Sequence, residues 1–237
     1  MRRHWQPVKN REVFNMSYAI AIDGPAGAGK STIAKRAAKA LSFIYVDTGA
    51  MYRAMGLYFL RKGISPEDQE EIEKACEDIQ VSITYENGEQ QVLLNGENVS
   101  SEIRREEVGN MASKTSANSR VREKLVALQR ELASRENVVM DGRDIGTQVL
   151  PDATVKIYLT ASSRERAKRR YLELQEKGMA ANLEEIEADI IERDHRDMTR
   201  EISPLCQAED AVLVDASYMT IAEVTEAVLK AFEEKRK

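Results

Sequence analysis

Apolar and polar positions along this chain follow two patterns that alternate through most of its length. Short apolar runs typical of strands cover residues 18–23, 43–47, 138–141, 155–159 and 211–215. Between these runs, apolar residues recur at helical spacing. Strands that alternate with helices form a parallel sheet covered on both faces. The pattern therefore predicts an α/β fold with a five-stranded parallel sheet flanked by helices.

A different pattern covers residues 65–110. Residues 81–85 alternate between polar and apolar, Asn87-Gly88 is typical of a hairpin turn, and residues 91–94 form a returning strand. A helix is predicted to start at Pro66, with Ser65 as its N-cap. We therefore predict a small inserted subdomain with an antiparallel sheet.

These patterns divide the chain into predicted segments. Residues 1–15 are polar and basic without an apolar core, so they do not resemble a secretory signal, and 1–16 is predicted as a disordered extension. The predicted segments that follow are a core segment with the glycine-rich loop at 17–64, the insertion at 65–110, core at 111–162, a lid at 163–182 and core at 183–237.

The first strand leads into a glycine-rich loop with the pattern GxxxxGKS, and a helix follows the loop. In this context the glycines allow backbone N–H groups to surround a phosphate at the start of the helix. Lys30 would reach the β- and γ-phosphates, and the Ser31 hydroxyl would bind Mg²⁺. The loop predicts that the chain binds a nucleoside triphosphate through Gly24, Pro25, Ala26, Gly27, Ala28, Gly29, Lys30, Ser31 and Thr32.

Aspartates stand at the ends of several predicted strands, where parallel sheets bind ligands. Asp141, or its neighbour Asp144, is a candidate for the carboxylate that orients Mg²⁺ through water. A structural role as a loop cap fits Asp141 equally well. For Asp23 and Asp215 we favour capping of the following loop.

Arginines are abundant near the same predicted sheet edge, where they suit phosphoryl transfer. Arg193, Asp197 and Arg200 share one helical face, and spacing alone favours an exposed, salt-bridged face. The helix after the fourth strand carries a cluster that is interpreted by default as a solvated basic face, comprising Arg166, Arg169 and Arg170.

Composition narrows the function classes. The net charge of −5 argues against broad nucleic-acid binding. The two cysteines are far apart and form no CxxC pair, which favours a reduced, cytoplasmic setting without a structural metal. No apolar run is long enough for a membrane span. The NKxD and DxxG motifs of GTPases are absent. A small-molecule kinase, expected to be monomeric, is favoured.

Four segments, in order, resemble the bacterial cytidylate kinase family. These are residues 22–31 (IDGPAGAGKS), 47–53 (DTGAMYR), 141–147 (DGRDIGT) and 192–197 (ERDHRD). The resemblance extends from about residue 17 to the C-terminus, and the insertion is similar to the monophosphate-binding domain of the long bacterial type.

The resemblance implies transfer of the γ-phosphoryl group of ATP to CMP or dCMP, with Mg²⁺ as cofactor. A kinase of another monophosphate such as UMP, or a non-catalytic P-loop switch, are the alternatives. Arg166, Arg169 and Arg170 would belong to a mobile lid over ATP. The resemblance implies catalytic roles for Lys30, Arg143, Arg166, Arg170 and Arg200.

The resemblance also implies which residues bind the substrate. Thr48 would lie near the acceptor, and the CMP phosphate would be bound by Arg53, Arg143 and Arg200. The cytosine edge would be bound by Ser113, Arg122 and Asp144, and the sugar by Arg193 and Asp197.

Overall fold

The chain divides into two compact units in a computed structural model that describes residues 17–236. Residues 17–18 and 49–136 belong to one unit, and residues 19–48 and 137–236 belong to the other. The predicted disordered extension, residues 1–16, lies outside the described residues.

The second unit contains a five-stranded parallel sheet in the order β2-β6-β1-β7-β8. Every residue of β1 and β6 is buried, as expected for strands covered on both faces. The strand that leads into the glycine-rich loop is therefore the central one. The strands are β1 (Ala19–Asp23), β2 (Ile44–Asp47), β6 (Val138–Gly142), β7 (Val155–Thr160) and β8 (Val212–Asp215).

Helices of this unit pack on the sheet and on one another. Helices α1 and α8 contact each other, and Phe43 meets Phe232 edge-to-face with ring centroids 5.5 Å apart. Helices α6 and α7 form a second contacting pair. The four helices are α1 (Lys30–Leu41), α6 (Ser163–Glu176), α7 (Leu183–Thr199) and α8 (Ile221–Lys235).

The first unit combines helices with a separate three-stranded antiparallel sheet in the order β3-β4-β5. Asn87 and Gly88 have φ of 53° and 82°, which is the paired left-handed geometry of a tight hairpin turn. The predicted hairpin is confirmed. Elements of this unit are α2 (Thr48–Lys62, whose first residue is assigned to the second unit), α3 (Gln69–Asp78), β3 (Val81–Glu86), β4 (Glu89–Leu94), β5 (Glu97–Asn98), a short 3₁₀ turn at Glu102–Arg104, α4 (Glu106–Thr115) and α5 (Ser119–Arg135).

One predicted helix start was wrong. Ser65 does not cap α3, because the chain first makes a turn in which the Asp68 N–H donates to the Ser65 carbonyl at 3.1 Å. Asp68 is the N-cap, and its carboxylate accepts from the Glu71 N–H at 3.0 Å.

The predicted insertion, residues 65–110, falls inside the unit that contains residues 49–136, and its boundaries remain a prediction. Within residues 17–236, no helix combines the length and the apolar character that crossing a membrane requires.

Candidate active site

The glycine-rich loop joins β1 to α1 in a conformation that depends on its glycines. Gly27 and Gly29 have φ of 76° and 94°, a region that other residues rarely adopt. A Cβ atom on Gly24 would overlap the carbonyl oxygen of Leu159 on the neighbouring strand. The strand, loop and helix that the sequence predicts are therefore all present.

Lys30 begins α1 and folds back over this loop. Its Nζ donates to the Pro25 carbonyl at 2.7 Å, and the residue is only 5% exposed. Burial lowers the pKa of Lys30, and the nearby Arg143 guanidinium lowers it further, while Asp141 and Asp23 oppose the shift. A bound phosphate would supply the negative charge that favours the ammonium form.

Ser31 is hydrogen-bonded to Asp141. This contact favours Asp141 over Asp144 as the carboxylate that orients Mg²⁺. The Ser31 hydroxyl donates to Asp141 Oδ2 at 3.0 Å, and the Tyr45 hydroxyl donates to Asp141 Oδ1 at 2.9 Å. Burial and the neighbouring Asp47 raise the pKa of Asp141. Asp144 instead lies 3.8 Å from Arg200.

These oxygen donors have the chemistry that Mg²⁺ prefers. Within residues 17–236, no group of three or more His, Cys, Asp or Glu side chains could bind a metal on its own. Such a cage is not needed in P-loop proteins, where phosphates and water complete the coordination. Ser31 and Asp141 fit this arrangement.

Asp23 and Asp215 both act as caps, but only Asp215 caps the loop that follows it. Asp215 accepts from Ser217 N–H at 2.9 Å. Asp23 instead accepts from the N–H groups of Ile145 at 2.8 Å and Gly146 at 2.7 Å. These N–H groups belong to the π-helical turn Ile145–Val149 after β6. The expectation that Asp23 caps the loop that follows its own strand was therefore wrong. Burial raises the pKa of Asp23 to about 6 against those two hydrogen bonds.

The half-buried Arg143 and the buried Asp197 form an ion pair, with Nε 2.8 Å from Oδ2. Burial opposes the charge on each group, but their mutual attraction prevails, raising the pKa of Arg143 and lowering that of Asp197. The exposed, salt-bridged face favoured by spacing is therefore wrong for Asp197, which is 5% exposed. The reason is tertiary, because Arg143 comes from the segment after β6.

Arg200 does not continue the helical face of Arg193 and Asp197. It is the C-cap of α7 with extended backbone, φ −60° and ψ 142°. Its Nε donates to the Ser203 carbonyl at 2.7 Å, and its Nη2 lies 3.8 Å from Asp144 Oδ1. Arg193 is half-buried on α7.

The three arginines of α6 have different surroundings, and their interpretation as a solvated face was wrong for Arg166, whereas Arg169 is exposed and Arg170 lies near the surface. Arg166 is 5% exposed and contacts the glycine-rich loop through the Ala26 carbonyl. The Arg169 guanidinium donates to the Ala216 carbonyl at 2.6 Å. Arg170 pairs with Glu173 at 3.0 Å near the surface.

The remaining acceptor candidates fall mainly in the first unit. Arg122 is 5% exposed, donates to the Ser116 carbonyl at 3.3 Å and lies 5.9 Å from the Tyr52 ring centroid. The buried Ser113 hydroxyl has no hydrogen-bond partner among the described residues. Arg53 lies beside Gly109 in the same unit. In the second unit, Thr48 donates to the Asp141 carbonyl at 2.7 Å.

Sequence reasoning missed Tyr45 and Asp194 as members of the site. Tyr45 lies in an apolar strand, where a phenol needs a polar partner, and this was an available signal. Asp194 is next to Arg193 in the segment ERDHRD, but its partner Arg166 is 28 positions away. No local spacing predicts that pair.

A model of the cytidylate kinase family matches residues 20–234. The chain belongs to the cytidylate kinase family. A cytidylate kinase of Caldicellulosiruptor saccharolyticus is 52% identical over 213 residues, which are 90% of this chain and 94% of the relative. A cytidylate kinase of Lactobacillus johnsonii is 48% identical over 223 residues, or 94% of this chain and 97% of the relative. The family resemblance seen in the four sequence segments is thus confirmed.

A solved structure from Eubacterium ventriosum, described as an uncharacterized protein, has a TM-score of 0.52 and 12% identity over 92% of this chain and 99% of that one. At this identity the likeness concerns the fold alone. Together with the parallel sheet and the P-loop, it confirms the predicted fold class of this cytidylate kinase family member.

Proposed function

We propose that this chain transfers the γ-phosphoryl group of ATP to CMP or dCMP, giving ADP and CDP or dCDP. The observation that carries the proposal is the proximity of donor and acceptor groups in the second unit. Lys30 of the phosphate-binding loop lies near enough to Arg143 that the guanidinium charge adds to burial in lowering the pKa of Lys30. Two neighbouring cations suit two phosphates that must approach each other for transfer.

The donor half would use the P-loop backbone and Lys30 for the ATP phosphates. Ser31 would bind Mg²⁺, and Asp141 would orient the ion through water. The ion would neutralise charge on the β- and γ-phosphates. Lys30 would stabilise the charge that develops on the transferring group.

The acceptor half would rely on arginine forks, whose paired N–H donors match phosphate oxygens. In this structure Arg143 is paired with Asp197. When the acceptor nucleotide binds, Arg143 would contact its phosphate and Asp197 would contact its sugar. No general base is required, since the acceptor is an ionised phosphate oxygen. The proposed acceptor residues remain those of the family resemblance, namely Thr48, Arg53, Ser113, Arg122, Arg143, Asp144, Arg193, Asp197 and Arg200.

Base selection would come from polar groups that a wrong base leaves unpaired. The buried Ser113 hydroxyl has no hydrogen-bond partner within residues 17–236, so it is available for such a contact. Arg122, already oriented by the Ser116 carbonyl, would supply donors, and Asp144 would accept from the cytosine amine.

The test is turnover of the purified full chain with ATP and equal concentrations of CMP, dCMP, UMP and AMP. Production of ADP only with the two cytidine acceptors supports the proposal. Equal turnover with UMP would favour the broader monophosphate kinase, and nucleotide binding without turnover would favour a switch. The inactive control is Lys30→Met, which should remove turnover with every acceptor.

Other features remain proposals of the sequence. They are a monomeric state, cytoplasmic location, the absence of nucleic-acid binding and the segment boundaries 17–64, 65–110, 111–162, 163–182 and 183–237. We also propose, from the family resemblance, that Arg166 and Arg170 are lid residues that contact ATP.

A further inference from the structure

The Arg166 side chain is buried, and all parts of its guanidinium have acceptors. Nε donates to the Ala161 carbonyl at 2.9 Å, Nη1 to the Ala26 carbonyl at 3.0 Å and Nη2 to Asp194 Oδ2 at 2.5 Å. The family resemblance gives Arg166 a role at the ATP phosphates. In this structure its donors are instead directed to the protein, including the phosphate-binding loop.

The hydrogen bond from Arg166 to the Ala26 carbonyl also affects the Gly27 N–H, because the two groups belong to the same peptide plane. In a trans peptide the carbonyl and the N–H point in opposite directions. Holding the carbonyl toward Arg166 therefore directs the Gly27 N–H to the other side of the loop. P-loops bind phosphate through such inward-facing N–H groups.

Packing reinforces this attachment. Gly27 has φ of 76°, and a Cβ atom placed on it would lie 3.5 Å from Arg166 Cβ. The stem of Arg166 thus lies against the loop at the residue whose N–H is oriented. Gly27 by itself is conformationally permissive, so an external contact is needed to select one peptide orientation.

Asp194, on α7, supplies the opposite charge for this buried arginine. Its side chain is 13% exposed, and that of Arg166 is 5% exposed. The guanidinium is a rigid planar fork, so a carboxylate that fixes Nη2 also fixes the direction of Nη1 toward Ala26. Loss of the carboxylate would leave a buried cation without its counter-charge.

We propose that Asp194 is a positioning residue of the donor site, which acts through Arg166 to orient the Ala26–Gly27 peptide for ATP phosphate binding. The proposal rests on the proposed kinase function, because it concerns the affinity for the phosphoryl donor. It assigns Asp194 no contact with substrate. It also gives Arg166 a role in shaping the loop before ATP is bound.

The test compares Asp194→Asn with Asp189→Asn, a control at an exposed position of the same helix. Binding of a non-hydrolysable ATP analogue to the full chain is measured by calorimetry without CMP, and KM is measured for ATP and for CMP. For Asp194→Asn we expect an increase of about tenfold in Kd for the analogue and in KM for ATP, the effect of one charge-assisted hydrogen bond. KM for CMP should match that of the control.

A second variant, Arg166→Lys, retains a positive charge for Asp194 but lacks the fork that reaches Ala26. We expect it to weaken analogue binding in the same direction. Thermal unfolding identifies a temperature at which every variant is folded, and all binding is measured there.

Analogue binding by Asp194→Asn that equals the Asp189→Asn control would overturn the proposal. So would an equal loss of ATP and CMP affinity, since that would indicate a general structural defect. The direct binding measurement requires no particular acceptor. A failure of CMP phosphorylation in the unmodified chain would therefore count against the proposed function and not against the role of Asp194.

Discussion

The Tyr45 hydroxyl donates a 2.9 Å hydrogen bond to Oδ1 of Asp141, and the other oxygen of this carboxylate accepts from Ser31 at 3.0 Å. Burial and the nearby aspartates raise the pKa of Tyr45 far above its ordinary value, so the phenol stays a donor. The orientation of Asp141 beside the proposed Mg²⁺ ligand thus depends on a residue from a neighbouring strand.

Tyr45→Phe is expected to weaken the use of Mg²⁺. Without the phenol, Asp141 has one fewer donor holding it beside Ser31, so the half-saturating Mg²⁺ concentration should rise about threefold to tenfold, the effect of one hydrogen bond to a charged group. The measurement is a Mg²⁺ titration of turnover at saturating ATP and CMP.

Tyr218→Phe is the control for that experiment, because Tyr218 is 93% exposed. Binding of Mn²⁺ with ADP, followed by electron paramagnetic resonance, gives a readout that does not depend on turnover. Identical metal titrations for the two variants would show that Tyr45 does not position Asp141.

Lys30→Met should abolish most activity while leaving the fold intact. Charge stabilisation of the transferring group is lost, and kcat should fall about 10³-fold or more on the scale of preorganised electrostatic contacts. Methionine avoids the burial of a cation, so circular dichroism and the melting temperature should show a folded protein. A variant with near-normal kcat would exclude this role of Lys30.

Arg200→Ala should affect the acceptor more than the donor. Arg200 lies near Asp144, and its loss should raise KM for CMP about tenfold or more, as expected for a charged hydrogen bond to phosphate. Arg196→Ala is a suitable control, because Arg196 pairs with Glu192 on the outside of α7. If KM for CMP is the same in both variants, Arg200 does not bind the acceptor.

The Arg143–Asp197 pair should make folding stability depend on pH in acid. The pKa of Asp197 is lowered in the folded chain, so the unfolded chain binds the proton more readily. The stabilisation is therefore present above the ordinary aspartate pKa of about 4 and is lost as the pH falls through the lowered value. Denaturant unfolding between about pH 3 and 7 measures it.

Asp197→Asn is the variant that tests this dependence. At neutral pH it should lower the free energy of unfolding by about 1.5–3 kcal/mol, the scale of a hydrogen bond to a charged group, since the Arg143 side chain is partly exposed. The difference from the unmodified chain should shrink toward acid, where the carboxyl of Asp197 is also protonated. A difference that is constant across the pH range would contradict the assigned electrostatic role.

The elements of this fold were predictable because their signals are local. Buried parallel strands have continuous apolar runs, and Asn87-Gly88 permits the left-handed angles of a hairpin turn. The P-loop was predictable for the same reason, since its glycines, Lys30 and Ser31 are consecutive. The wrong start predicted for α3 shows the limit of local signals. Ser65 and Asp68 are both suitable N-cap residues, and it is a turn between them that places Asp68 at the start of the helix.

The side-chain partnerships depended on residues that are distant in sequence. Asp23 caps a turn more than 120 positions away, and Asp197 binds Arg143 over 54 positions. Spacing along α7 could only indicate which residues share a face. Whether Asp197 was exposed depended on what packs against that face.

The sequence by itself determined the sheet, the hairpin, the phosphate-binding loop and membership of the cytidylate kinase family, because each depends on consecutive residues or on ordered motifs. The tertiary structure decided that Asp141 contacts Ser31, and that Arg166 donates both to the Ala26 carbonyl of the loop and to Asp194. The physical reason is that charged side chains avoid burial unless a partner is present. In this protein the partners come from other strands and helices, and only the folded chain brings them together.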